Sequence, residues 1–355
     1  MKVLVTGGAG FIGSHIAEHF SVNGDTVTVL DNLSRAGLLG QASSDGLRNW
    51  NYLAQRYPDV QLVRGDIRSA EPIDSLAREA ELVVHAAGQV AVTTSLREPK
   101  TDFEINAAGT LNVLEAARKN DSTLIFCSTN KVYGENVNSI PVQEHKTRYE
   151  YADPKFGNGI PEDFSVDHTN HSPYGCSKLT ADLYVQEYAH TYGMRTGVFR
   201  LSCVYGTRQY GAEDQGWVAW FVRAMVRHTP LTVYGTGKQV RDVLWVSDLV
   251  HAVDLFRSGS LKHEVFNIGG GRDNRVSILE VLAILRQITG EDTKVTFSDW
   301  RNADQKIYFS DVKKANEKLG WKPTVDPISG LRKLVDWTGS QSKDEDTIVS
   351  EASAI

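Results

Sequence analysis

Cysteine is scarce in this sequence of 355 residues: Cys127, Cys176 and Cys203 are far apart and form no CxxC pair. That excludes a disulfide framework or a zinc ribbon and fits a reducing compartment. Long apolar runs are also missing. A bilayer-crossing helix needs about 20 consecutive apolar residues, and the richest stretch, Val3 to Ile16, is broken by glycines and polar side chains. The N-terminus reads as a strand from Lys2, without a cleavage site, so no membrane partner and a cytoplasmic location are expected. There is no basic excess either; the net charge of −6 argues against nucleic acid as a partner. Ten histidines yield no triad at metal-ligand spacing, since His168 and His171 lie in a segment that is not helical, and no metal is expected.

What is present, 41% hydrophobic and 23% charged residues, is the mixture of a globular protein large enough for about two domains. Short β-rich runs alternate with helical patterns in the first half, as in a doubly wound parallel sheet. The strand candidates are Lys2–Thr6, Thr26–Leu30, Val60–Arg64, Leu82–His85 and Thr123–Ser128. The clearest helix is Asn106–Lys119, with Leu111, Val113, Leu114 and Ala117 on one face. Beyond Tyr174 the pattern becomes mixed: helix Ser177–Tyr192, strand Thr196–Leu201 and helix Trp217–Arg227. Tyr149–His171, rich in Asp, Pro, Asn and Gly, reads as a loop.

Between the first strand and first helix runs Thr6-Gly7-Gly8-Ala9-Gly10-Phe11-Ile12-Gly13. Gly7 allows a tight turn, Gly10 a close approach of backbone to a pyrophosphate, and Gly13 the packing of helix on sheet. The N–H groups of Phe11, Ile12 and Gly13 would then face the phosphates. Asp31 ends the second strand 18 residues after Gly13, where a carboxylate accepts ribose hydroxyls and repels the extra phosphate of NADP. The spacing therefore predicts NAD, with Asn32, Ser34 and Arg35 beside it; Arg35 keeps NADP open, and Asp31 could instead only close a turn with Asn32 and Ser34. Asp66 and Ile67 end the third strand, and Ala86, Ala87, Gly88 and Gln89 the fourth, so they fall at the same sheet edge.

Tyr174 and Lys178 are four apart on one helix face. A buried ammonium with the nicotinamide cation close should lower the phenol from its usual value of about 10 and make it a base for a sugar hydroxyl. A second such pair, Tyr151 and Lys155, contains Pro154 and should not share a helix face. At the end of the fifth strand a hydroxyl in Ser128-Thr129 could bond the same reacting oxygen.

The TGxxGxxG pattern, Asn106, the strand-end Ser/Thr and YxxxK, in this order from Lys2 to Trp337, resemble the extended short-chain dehydrogenase/reductase family of nucleotide-sugar enzymes. The resemblance implies a Rossmann-type fold with a smaller mixed α/β C-terminal substrate domain. Residues 1–172 would be the NAD-binding domain, to which segments near 174–201 and 240–268 add. Residues 173–338 would mainly bind the nucleotide sugar, and 339–355 read as a disordered tail. By the same resemblance Thr129, Tyr174 and Lys178 form the catalytic triad, with Asn106 and Ser128 on the cofactor side. Dehydratases and decarboxylases of the family carry an acid just after the Ser/Thr, whereas this sequence has Asn130 and Lys131. Within the family, Ser128–Gly134, His171–Lys178, Asp214–Trp217, Gly237–Asp242, Gly88–Ser95 and Asp102–Asn106 are most similar to the CDP-tyvelose (CDP-paratose) 2-epimerase group. That implies inversion at C2 of a CDP-3,6-dideoxyhexose through a 2-keto sugar. Substrate contacts would come from Thr129, Asn130, Lys131, Ser202, Arg208, Gln209, Trp217, Arg241 and Arg301. A homodimer or homotetramer would pair the helices at Asn106–Lys119 and Ser177–Tyr192. The alternatives are a UDP-sugar 4-epimerase, a reductase releasing NAD(P)H, and an NAD-sensing protein without catalysis.

Overall fold

The computed structural model describes residues 1–38, 43–301 and 304–352. Seven strands, β1 (Lys2–Thr6), β2 (Thr26–Asp31), β3 (Gln61–Arg64), β4 (Leu82–His85), β5 (Thr123–Thr129), β6 (Thr196–Leu201) and β7 (His263–Ile268), pair in parallel in the order 7-6-5-4-1-2-3. Their side chains alternate between two apolar layers. Val3 and Val5 pack with Ile16, Ala17 and Phe20 of helix α1 (Phe11–Val22), whereas Leu4 packs on the other face with Val113 and Leu114 of α2 (Gly109–Lys119) and Val185 of α3 (Pro173–Tyr192). Burial on both faces is why the central strands β1, β4 and β5 read as nearly continuous apolar runs. The strand order reverses between β1 and β4, and the chain leaves a crevice there at the carboxyl ends of the strands.

The second region has its own core. Cys203–Tyr205, Val240–Trp245, Arg275–Ser277 and Ile307–Tyr308 form a small mixed sheet, and Leu231–Tyr234 pairs with Val295–Ser298. Helix α4 (Trp217–Val226) packs here through Val218, Phe221, Val222 and Met225 against Val281, Leu285, Leu331 and Leu334. Of the segments 174–201 and 240–268, β6 and β7 join the large sheet, while Val240–Trp245 stays in the small one.

Three segments differ from the sequence reading. Tyr149–His171 is not all loop, because Tyr149–Tyr151 pairs antiparallel with Val142–Glu144, which covers the apolar side of Tyr149 with Val240 and Ile307. The helix expected from Asn106 begins as a widened π-turn, Glu104–Ala108, before α2, with the Asn106 side chain bonded to neighbouring segments. The expected disordered tail is occupied by a helix, Pro327–Ala352. After Gly339 no glycine or proline interrupts it, and residues 353–355 lie outside the described residues. No helix of the described residues is long and apolar enough to cross a membrane.

Candidate active site

The crevice at the switch point is made of backbone. Gly7 turns at φ +73°, and a Cβ there would lie 2.5 Å from Ala87 N; at Gly13 a Cβ would lie 2.2 Å from Gly7 O. Only glycine allows the turn, the β4 loop and α1 to touch. Helix α1 has no side-chain cap and no acid in its first turn, and its first intrahelical bond runs from Ser14 N–H to Gly10 O. The N–H groups of Phe11, Ile12 and Gly13 therefore remain available at the positive end of the helix dipole, the chemistry of an anion site.

A cavity of about 160 Å³ begins there. Its wall brings together Gly7, Gly10, Phe11, Ile12 and Gly13 with Asp31, Asn32, Ser34 and Arg35, then Asp66 and Ile67, and Ala86, Ala87, Gly88 and Gln89. Asp31 both lines this wall and closes a turn, accepting from Ala9 N–H at 3.0 Å and Leu33 N–H at 2.8 Å. Burial pushes its carboxyl above the usual range, against those two hydrogen bonds. Asp66 is held down to about 2, chiefly by its hydrogen bonds from Arg68, and also accepts from Asn32 Nδ2 at 2.8 Å. Arg35 donates to Tyr210 O at 3.2 Å and to Gln215 Oε1 at 2.6 Å.

Two residues expected on this wall are elsewhere. Asn106 is 1% exposed; its Oδ1 accepts from Gln89 N–H at 2.9 Å and its Nδ2 donates to Gln89 O at 3.0 Å. It shapes the loop from behind. Ser128 donates to Asp182 Oδ2 at 2.6 Å, inside the buried pair of Asp182 with Arg200 at 3.0 Å. The pleat sends neighbouring strand residues to opposite sides, so only Thr129 of the two hydroxyls meets Tyr174.

Ser172 caps α3 through Gly175 N–H at 3.3 Å, and Pro173 opens the helix. This helix buries Tyr174 and Lys178 side by side against β5. Lys178 Nζ donates to Cys127 O at 2.8 Å and lies 4.1 Å from the centre of the Phe126 ring. Burial pushes Tyr174 up to about 12, opposed by the hydrogen bond with Thr129, and pushes Lys178 down to about 8. The chain's own groups thus raise the phenol rather than lower it. The second pair does not assemble: Tyr151 lies in a strand and donates to Ile307 O at 2.9 Å.

Beyond the pair opens a cavity of about 550 Å³, on whose wall Asn130, Lys131, Trp217, Arg241 and Arg301 converge. Arg241 pairs with Asp304 at 2.6 Å, and Arg301 stacks 4.0 Å over the Tyr234 ring while pairing with Asp214 at 3.2 Å. Burial, then the nearby Arg241 charge, pushes Lys131 down to about 8. Trp217 donates from Nε1 to Cys203 Sγ at 3.4 Å. Three expected substrate residues turn inward instead. Ser202 donates to Asp242, itself fully buried. Arg208 pairs with Glu18 at 2.5 Å over the Tyr52 ring. Gln209 Nε2 donates to Val204 O at 3.2 Å. Ser202 lies between β6 and the strand Cys203–Tyr205, and Arg208 and Gln209 in the turn after that strand, which points these side chains into the protein. Sequence reading missed Thr93, whose Oγ1 is buried on this wall without a partner among the described residues, and Gln215, which lines both cavities. Both fall inside segments that carry the family resemblance, Gly88–Ser95 and Asp214–Trp217, but nothing within those segments singles them out.

A doubly wound sheet with a glycine turn at its switch point and a buried Tyr–Lys pair beside it defines a dinucleotide-dependent enzyme. The chain belongs to the NAD dependent epimerase/dehydratase family, whose pattern matches residues 3–269, and its cofactor is NAD. It is 40% identical over 351 residues to the CDP-paratose 2-epimerase of Salmonella typhi, covering 96% of this chain and 100% of the relative. Among solved structures it resembles the UDP-glucose 4-epimerase of Thermotoga maritima with UDP-glucose, at TM-score 0.80 and 33% identity, covering 96% of this chain and 99% of that one. The UDP-glucose 4-epimerase of Thermus thermophilus in complex with NAD gives TM-score 0.75 at 31% identity, with 95% and 99% covered.

Proposed function

We propose that this protein is a nucleotide-sugar epimerase that inverts C2 of a CDP-3,6-dideoxyhexose, interconverting CDP-paratose and CDP-tyvelose. The observation that carries the reading is Asn130-Lys131, on the cavity wall directly after Thr129. Elimination of water needs an acid and a base besides the hydride step, and here the cavity presents an amide and an ammonium at that place. The full-length likeness to a CDP-paratose 2-epimerase supports the choice of carbon and nucleotide.

Gly7, Gly10 and the N–H groups opening α1 would hold the NAD pyrophosphate, and Asp31 its ribose. Bound NAD supplies the hydride acceptor at C2 and then the donor to its opposite face, without net redox change, and its oxidised ring adds positive charge beside the buried phenol. Tyr174 takes the proton from the C2 hydroxyl and later returns it, while Thr129 bonds the same oxygen. Lys178, fixed by Cys127 O, stands beside the phenol as a buried cation. Arg241 and Arg301 grip the diphosphate, so that only the sugar turns between the two hydride transfers. Self-association through α3, on which Leu183, Tyr184 and Tyr192 are about half exposed (50%, 47% and 53%), belongs to the same proposal.

Purified protein incubated with CDP-paratose and no added cofactor tests this reading, with the sugar C2 proton followed by NMR. Appearance of the tyvelose form supports it. No change, with bound NAD demonstrated by extraction, overturns the C2 assignment and favours a UDP-sugar 4-epimerase, the reading that the likeness to the Thermotoga maritima enzyme supports.

A further inference from the structure

We propose that Asp102 is a positioning residue for the reaction: its buried carboxylate ties α3 to the loop walling the cofactor crevice and supplies the negative charge facing the Tyr174–Lys178 pair. Asp102 lies in the short helix Pro99–Phe103 and is 1% exposed. Its Oδ2 accepts from the Ser177 hydroxyl at 2.5 Å, and its Oδ1 from Gln89 Nε2 at 2.7 Å and Asn106 Nδ2 at 3.1 Å. Ser177 adjoins Lys178 in the chain, and Gln89 adjoins Gly88, where a Cβ would sit 4.0 Å from Lys178 Nζ. One carboxylate thus fastens the helix carrying the base to the wall carrying the cofactor.

Neutral amides could accept hydrogen bonds at this place, and a charge costs more to bury. Among the described residues Asp102 forms no ion pair, so its charge is directed only at a distance. The titratable groups around Lys178 are His85 from β4, Cys127 from β5, and Asp182 and Asp102; Tyr174, Lys178 and Cys176 of α3 all feel Asp102 and are raised by it. Burial pushes Asp102 itself upward, while the Ser177 and Gln89 hydrogen bonds hold it down. Removing the charge should lower Tyr174 and Lys178 together, so both limbs of the pH profile move to lower pH.

This inference rests on Tyr174 as the base of the proposed function, and its test reads the phenol directly. In NAD-loaded protein, Tyr174 is titrated by ultraviolet difference absorbance against the same protein carrying Y174F. D102N should move the midpoint down by about one pH unit, the scale of removing one buried charge from a partly polar interior, with extractable NAD close to wild type. D102S carries the same expectation if D102N does not fold. An unmoved midpoint overturns the proposal, and lost NAD with an unmoved midpoint reduces Asp102 to a brace. If CDP-paratose is not turned over, the titration still decides the role of Asp102, and the failure belongs to the substrate assignment alone.

Discussion

The two cavities share Gln215 but are built by different means. The cofactor crevice is walled largely by backbone: glycines, strand ends and uncapped N–H groups, all at one edge of one sheet. The substrate cavity is walled by side chains from segments as far apart as Thr93, Lys131, Trp217, Arg241 and Arg301, most of them ring or charge pairs. A backbone site is tied to the fold and tolerates little change, whereas a side-chain site can be altered one group at a time.

The sharpest way to break this contrast is chemical. Y174F should lower turnover by about 10³-fold while bound NAD is retained, because proton transfer is lost and the crevice is not; NAD extraction beside the NMR assay checks both. Next is Arg208, which the structure assigns to the α1 brace. R208M should cost about 2 kcal/mol of stability by removing the charge partner of Glu18, which keeps its hydrogen bonds from Tyr52 and Tyr57, seen in chemical denaturation, with KM unchanged; a raised KM would return Arg208 to the substrate side. R241A should raise KM about 10–50-fold with little change in kcat or NAD content, as expected for a lost charged contact to a diphosphate. D31A should weaken NAD about tenfold and narrow its advantage over NADP, measured by equilibrium binding; an unchanged preference would leave Asp31 as a turn former only. The smallest effect is in pH. Lys131 is pushed down to about 8, so it is charged below that pH and neutral above it. KM should therefore rise a few-fold as pH passes about 8, and K131M should flatten the rise.

The same contrast governs how far the sequence can be read. Gly7 to Gly13, Asp31, Asp66 and the Ala86–Gln89 run are strand-end residues, and the alternation of strands and helices around them is enough to place them on one wall. For side chains the sequence supplies identity without direction. Ser128 and Thr129 are adjacent and chemically alike, yet the pleat gives one to Asp182 and the other to Tyr174. Ser202, Arg208 and Gln209 lie near the substrate cavity in the chain but face partners, such as Glu18, that no local pattern names. The lowered phenol is expected with the nicotinamide cation close; in the protein's own groups burial outweighs the Thr129 hydrogen bond and raises Tyr174, while Lys178 is pushed down only to about 8. Asp102 stands out in the sequence only as part of a family segment; its three bonds come from Gln89, Asn106 and Ser177, brought together by folding.

Gln215 sits on both walls and takes a hydrogen bond from Arg35 at 2.6 Å. A molecule filling either space therefore meets the same amide, so a shift of that amide by one ligand is a route by which the other would feel it. Coupling of this kind is reciprocal: whatever factor one ligand imposes on the affinity of the other is returned in full. Two calorimetric titrations, nucleotide sugar into NAD-loaded protein and into NAD-depleted protein, would express that shared wall as a difference in binding constants.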